Sequence, residues 1–197
     1  DYILPADRIA QLPCAHRDQA RLMVIDRARP EAEADHTVVA SLGEFLRAGD
    51  LIVLNDSRVR PARIRARKST GGRVELLLLD REGEGTGASW RCLASTGKGM
   101  RPGARLQVAA GLEVEVLGKG SDGRMRVRLL AEGSAADEAL RRHGVMPLPP
   151  YIHRDPDDPR DPLDRDRYQT VFARLEGSIA APTAGLHFTD ALFSDLR

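Results

Sequence analysis

The chain has 197 residues, a formal net charge of +1, 42% hydrophobic residues and two cysteines. That length allows one or two domains with a hydrophobic core, and no apolar run is long enough to cross a membrane as a helix. Cys14 and Cys92 lie far apart and outside any paired spacing, which argues against a disulfide framework or a zinc knuckle and makes the cytoplasm the expected compartment. No signal peptide is visible, although the chain opens at Asp1 rather than Met. The balanced charge hides an asymmetry: residues 58–130 hold 16 Lys/Arg against 7 Asp/Glu, and the remainder holds 14 against 22. A basic module inside an acidic frame points to a polyanionic partner for the module.

In chain order, Asp7 to Leu12 predicts a short helix ended by Pro13. Arg21-Leu-Met-Val-Ile-Asp26 reads as a buried strand, and residues 27–37 as a polar turn region. Ser41-Leu-Gly-Glu44 is a capping box that predicts a helix over 42–48, stopped by Gly49. Leu51-Ile-Val-Leu54 reads as a second apolar strand and runs into Asn55, Asp56, Ser57 and Arg58. Polar groups at the end of a buried strand are where α/β proteins often place ligand contacts; a turn held by Asn and Asp side chains is at least as common.

The pattern changes at residue 59. Segments 59–68 and 73–80 predict a hairpin, and 89–96, 104–109, 112–117 and 124–130 follow as strands with glycine-bearing turns. Six short strands with no helix between them suggest a small β-barrel or sandwich. Arg63, Arg65 and Arg67 alternate with Ile64 and Ala66, and Arg124, Arg126 and Arg128 alternate with Met125, Val127 and Leu129, so each triplet takes one face of its strand. Such faces suit nucleic-acid phosphates; a solvated outer face is the plainer alternative. Trp90 has few aromatic companions, which argues against a base-stacking platform.

Ser134-Ala-Ala-Asp137 predicts the cap of a helix that ends before Gly144, and the prolines of Met146-Pro-Leu-Pro-Pro-Tyr-Ile152 require an extended segment. Tyr151 and His153 either line a site or pack that linker. Residues 154–167, rich in Arg, Asp and Pro, read as an exposed, mobile loop, and 168–173 as a strand. That strand feeds the stretch Gly177-Ser-Ile-Ala-Ala-Pro-Thr-Ala-Gly-Leu-His-Phe-Thr189. Its small residues let a ligand approach the backbone, Pro182 interrupts regular structure, His187 stands between Leu186 and Phe188, and Thr189 reads as a helix N-cap. The stretch is a ligand site or a buried turn whose small residues permit close packing. Outside the barrel the chain supplies about three strands and three short helices, thin for a sheet covered on both faces, so it is expected to be the front part of a longer protein.

Four stretches together resemble the S-adenosylmethionine:tRNA ribosyltransferase-isomerases of queuosine biosynthesis. They are Asp1-Tyr-Ile-Leu-Pro5 with Arg17, Arg21 and Leu22; Gly49 to Arg63; Met146 to Ile152; and Tyr168-Gln-Thr-Val171 leading into Gly177 to Thr189. Thr70-Gly-Gly72 fits as well. Ser57 stands where the family usually has Thr, Ile179 where it usually has Val, the acidic loop at 155–166 looks longer than usual, and the family continues with a further α/β portion. The resemblance implies a mixed α/β (α+β) fold: an α/β frame, incomplete at the C-terminus, interrupted by a small six-stranded β-barrel domain. The expected domains are 1–58, 59–130 and a return to the frame over 131–197.

It also implies a reaction. The ribosyl part of S-adenosylmethionine, a co-substrate, would pass to 7-aminomethyl-7-deazaguanine at the wobble position of a tRNA and be isomerised to epoxyqueuosine, releasing adenine and methionine. No metal or other cofactor, no membrane and a monomeric enzyme are expected. Such chemistry needs a base beside the sulfonium, an acid for departing adenine and donors for developing oxygen charge. His187 is the first acid/base candidate, set against a core histidine satisfied by a hydrogen bond, and Thr183 is the second catalytic candidate. Ser178, Ala181, Pro182, Gly185 and Thr189 are substrate-binding candidates, with Asn55, Asp56, Arg58 and, more weakly, Tyr168; Gln169 is weaker still. Arg63, Arg65 and Arg67 are the candidates for tRNA phosphates. The competing readings are a non-catalytic RNA-binding module and a methyltransferase, the latter without a Gly-x-Gly-x-x-Gly turn after the first strand.

Overall fold

A computed structural model of the chain describes residues 3–29, 31–83, 89–131 and 136–197. The strands are β1 (Arg21–Val24), β2 (Asp35–Val38), β3 (Ser57–Val59), β4 (Arg63–Lys68), β5 (Arg73–Glu82), β6 (Ser89–Ala94), β7 (Arg105–Ala109), β8 (Leu112–Lys119), β9 (Met125–Ala131) and β10 (Leu175–Ser178). The helices are α1 (Ala136–His143), α2 (Asp161–Arg167) and α3 (Asp190–Asp195), and short 3₁₀ turns lie at Ala6–Arg8, Arg17–Gln19, Val39–Phe45 and Thr183–His187. Asp1 and Tyr2 of the opening motif, and Ser134 and Ala135 of the expected helix cap, lie outside the described residues. Two compact units result: Arg60–Leu148 with Arg154–Arg165, called the barrel unit, and Asp1–Val59 with Pro149–His153 and Asp166–Arg197, called the frame.

The barrel closes in the order β4-β5-β6-β9-β8-β7, with every neighbouring pair antiparallel. Period-two alternation sends Ile64 and Ala66, Leu76 and Leu78, Val114 and Val116, and Met125 and Val127 inward, while the arginines of β4 and β9 take the outer face. Burying each large apolar side chain contributes about 1.5–3 kcal/mol. Register irregularities in β5, β7 and β8 supply the bends that closure of a small barrel requires. Gly71, at φ +84°, takes the left-handed turn between β4 and β5 and donates its N–H to the Lys68 carbonyl at 2.8 Å. Trp90 is buried with the Arg60 guanidinium 4.7 Å from its ring centroid, so it is a core residue.

Behind the barrel strands, α1 ends at Gly144. A side chain there would collide with the Pro61 and Leu140 carbonyls, so close backbone approach selects glycine. Residues 154–167, expected to be an exposed and mobile loop, are instead ordered. Arg154 grips Asp164 through two hydrogen bonds of 2.8 and 2.9 Å, both side chains being about nine-tenths buried. Arg165 pairs with Asp161 one turn earlier at 2.6 Å and donates to the Arg141 carbonyl at 2.9 Å and to the Gly144 carbonyl. The composition of a disordered segment is here a set of opposite charges that pair within α2, as Asp161 with Arg165, and between α2 and the residues before it, as Asp164 with Arg154.

The frame holds two two-stranded sheets, β1 antiparallel to β2 and β3 parallel to β10. Its core is Val39, Phe188 and Leu192, with Leu22, Leu42, Phe172, Phe193 and Leu196 packed against them. Phe172 meets Phe193 and Phe188 edge-on, with ring centroids 5.5 and 6.3 Å apart.

Several local expectations fail in the frame. The helix over Asp7–Leu12 shrinks to the Ala6–Arg8 turn. The strand at 21–26 exists as β1 but is half-exposed, and its partner β2 overlaps the end of the expected polar turn. The helix over 42–48 is the 3₁₀ segment Val39–Phe45, with Val38 at its cap and no side-chain capping bond from Ser41. Residues 51–54 are irregular, and Leu51 is 88% exposed; β3 begins only at Ser57, where β10 offers a partner. The strand expected at 168–173 is a pair of turns, and pairing begins at Leu175. Apolar β-branched content makes a strand possible, but a neighbouring ladder makes it real.

Candidate functional site

The parallel pair β3–β10 carries the first group of candidate residues. Asn55 Oδ1 accepts the Ser57 N–H at 2.9 Å, the Asn-held turn of the plainer reading. The Asp56 carbonyl accepts the Arg174 N–H at 2.7 Å, and its carboxylate takes the Arg174 Nε and Nη2 donors at 3.0 and 2.8 Å. Arg58 donates to the Ala173 carbonyl at 2.9 Å. Leu175 stands opposite Ser57, Glu176 opposite Arg58 and Ser178 opposite Val59, with the ladder breaking between Glu176 and Ser178 around Gly177. Asn55, Asp56 and Arg58 therefore lie beside the stretch that enters the small-residue loop.

Ser178 folds back on the loop, its hydroxyl donating to the Ala180 carbonyl at 2.7 Å and accepting the Ala180 N–H at 3.2 Å. Ala181 is buried, Pro182 opens the Thr183–His187 turn, and Thr183 is exposed. At Gly185 a Cβ would lie 3.0 Å from the Phe172 ring and 3.1 Å from the Thr170 methyl, so close packing is one reason for glycine there. Thr189 accepts the Leu192 N–H at 3.1 Å, the expected N-cap, and donates to Asp18 at 3.2 Å. Tyr168 is buried. His187 is half-buried at the end of the turn, and its imidazole makes no hydrogen bond among the described residues. The Thr170 hydroxyl, buried near Gly185, likewise lacks a partner among the described residues.

Two residues hold this loop in place. Arg17 was legible only as part of a motif. Its guanidinium donates to the carbonyls of Asp166, Arg167, Gln169 and Leu186 at 2.9, 3.4, 2.8 and 3.1 Å, tying the end of α2 to the turn that carries His187. Burial, and next the neighbouring Arg167, lower its pKa. Gln169 binds the Val59 backbone from both sides, Val59 N–H to Oε1 at 3.0 Å and Nε2 to the Val59 carbonyl at 2.5 Å, so a side chain does the work of a ladder neighbour for β3. An arginine that gathers carbonyls from distant segments leaves no local sequence pattern.

The arginine triplets lie in the barrel unit and differ from each other. Arg126 pairs with Glu82 at 2.9 Å, Arg128 with Glu115 at 3.2 Å, and Arg124 lies 3.7 Å from Asp122. On β4, Arg63 pairs with Glu75 at 2.9 Å and donates to the Leu148 carbonyl at 2.9 Å. Arg65 donates to the Pro156 carbonyl, and the Arg67 side chain has no partner among the described residues. No group of three or more His, Cys, Asp or Glu able to hold a metal occurs among the described residues. No helix of the described residues is long and apolar enough to cross a membrane.

A closed six-stranded barrel with arginines on its outer face and a small frame that carries a histidine-bearing turn define the class: a mixed α/β protein with a basic barrel. Residues 1–197 match the family model described as queuosine biosynthesis protein, and the chain belongs to that family. It is 46% identical over 196 residues to the S-adenosylmethionine:tRNA ribosyltransferase-isomerase of Anaeromyxobacter sp. (strain Fw109-5), covering 100% of this chain and 54% of the relative. It is 46% identical over 197 residues to the protein of the same name from Geobacter metallireducens, covering 100% of this chain and 55% of that one. Among solved structures, the S-adenosylmethionine tRNA ribosyltransferase of Thermotoga maritima aligns at 31% identity over 100% of this chain and 52% of that chain, with a TM-score of 0.36. The chain thus spans about half the length of the curated relatives it matches.

Proposed function

We propose that the chain belongs to an enzyme that transfers the ribosyl moiety of S-adenosylmethionine to 7-aminomethyl-7-deazaguanine at the tRNA wobble position and isomerises it to epoxyqueuosine, releasing adenine and methionine. The observation that carries the reading is the unbroken match over residues 1–197 to a queuosine biosynthesis family whose relatives bear that enzyme name at 46% identity. In this reading 59–130 is an inserted barrel domain, the protein acts in the cytoplasm as a monomer, and no cofactor is needed besides the co-substrate.

His187 is the acid/base group. Its imidazole is half-buried without a hydrogen-bond partner among the described residues, which supports a group kept available for a substrate proton. Thr183 and Ser178 offer hydroxyls, and the backbone from Ala181 through Gly185 to Thr189 offers the close approach that ribose or methionine requires. Asn55, Asp56 and Arg58 contribute polar contacts from the paired β3, although Asp56 and Arg58 already hold Arg174 and the Ala173 carbonyl, so their first duty is to shape the turn. Tyr168, buried, is the weaker substrate-binding candidate.

The test replaces the matching portion of the Anaeromyxobacter relative with residues 1–197 and supplies S-adenosylmethionine and tRNA carrying the aminomethyl-deazaguanine. Free adenine together with epoxyqueuosine in the digested tRNA is the expected result. S-adenosylhomocysteine would instead indicate methyl transfer, and tRNA binding without product would indicate a binding module. In the active chimera, His187→Ala is expected to lower kcat by at least 100-fold; near-normal turnover would remove His187 from the acid/base role.

A further inference from the structure

Resting on the tRNA-directed reading above, we infer that the RNA backbone is gripped in one cleft on the outer face of the barrel, at Arg65, Arg67 and Arg73, and not along the arginines of β9. The cleft has a volume of about 390 Å³ and lies over β4, β5 and β7 against the segment around Pro156. Its lining carries four arginines against two carboxylates, Glu75 and Asp157. Arg154 is spent on Asp164 and Arg65 donates to the Pro156 carbonyl without meeting a carboxylate, which leaves Arg67 and Arg73 as the exposed cations of the lining.

Three features of these arginines point to an anionic ligand. First, Arg67 and Arg73 stand directly opposite each other in the β4–β5 register, and neither side chain has a hydrogen bond or ion pair among the described residues. Like charges directly opposite across a strand pair are destabilising, and a bound phosphate would reverse the sign of that contact. Second, Arg65 stands opposite Glu75, yet Glu75 is taken by Arg63, so Arg65 has no carboxylate. Third, the other arginine-rich side of the barrel is already neutralised. Arg91 pairs with Asp80 at 2.7 Å, Arg126 with Glu82 at 2.9 Å and Arg128 with Glu115 at 3.2 Å. Arg65 and Arg67, two residues apart on one strand face, sit about 6.8 Å apart, close to the separation of successive phosphates along a strand. With no aromatic side chain in the lining, the cleft suits phosphodiesters rather than stacked bases, and its contacts position the RNA without reading its sequence.

The test measures the affinity of the chimera described above for an unmodified tRNA transcript across a salt series. Arg67→Gln with Arg73→Gln is expected to weaken binding and to lower the slope of log K against log salt by about 2. Arg126→Gln with Arg128→Gln is expected to leave the slope unchanged. Arg67→Lys with Arg73→Lys is expected to restore it, which separates lost charge from lost fold. Wild-type binding with an unchanged slope in the Arg67/Arg73 glutamine variant, or an equal loss in the β9 variant, overturns the cleft while the tRNA-directed reading stands. A chimera with the wild-type arginines but without affinity for tRNA overturns that reading and the cleft with it.

Discussion

The barrel and the frame treat the same kind of residue in opposite ways. Leu76, on β5, is fully buried, whereas Leu51 is 88% exposed, and Val53 and Leu175 are left similarly open. The barrel closes on itself, so each strand finds two neighbours and each inward side chain meets others across a small core. Among its described residues the frame has only paired strands, and its core collects instead around Phe172, Phe188 and Phe193. An apolar strand sequence is therefore not a buried strand until a partner and a covering layer exist.

This contrast can be broken by mutation. The largest effect is expected at the ion pair of α2: Asp164→Ala removes the carboxylate that takes two bonds from the nearly buried Arg154 guanidinium and should cost about 3–5 kcal/mol in urea unfolding. Leu76→Ala should cost about 2–5 kcal/mol, because the closed barrel cannot collapse around the cavity. In the frame, Thr189→Ala removes the α3 cap and should cost about 1 kcal/mol. Leu51→Ala should change stability by less than about 0.5 kcal/mol; a cost like that of Leu76→Ala would mean that residues 51–54 are packed after all.

The cysteines sharpen the same contrast by chemistry. Burial in the barrel pushes the Cys92 thiol up from 9.0 to about 12, whereas Cys14 is exposed in the frame. Between these two values the unfolded chain has lost the Cys92 proton and the folded chain has kept it. Stability from this group is thus complete below pH 9 and falls as pH rises towards 12. Cys92→Ala should remove that alkaline slope, and a thiol reagent at neutral pH should label Cys14 quickly and Cys92 only after unfolding.

Much of the barrel could be read before any coordinates. Its strands alternate strictly and its turns carry glycine, and both signals act over a few residues. The Thr189 cap was legible for the same reason, since capping needs only a hydroxyl three residues before its donor. The small-residue loop and His187 were also visible as chemistry, and the order of motifs identified the family.

The remaining features depend on contacts between distant segments. Whether 51–54 or 57–59 forms the strand is settled by where β10 lies, and whether 154–167 is loose or ordered is settled by Arg154 meeting Asp164. Arg17 became the brace of the loop through carbonyls more than 140 residues away in sequence, at Asp166, Gln169 and Leu186. The two arginine strands look alike as sequence, and only the placement of Glu82, Glu115 and Glu75 makes one neutral and leaves part of the other free. Residue order by itself determined period, turn chemistry and family, because those are local or cumulative signals. Tertiary structure decided which strands pair, which charges are spent and that the His187 imidazole has no partner among the described residues, because hydrogen bonds and ion pairs are made by proximity in space.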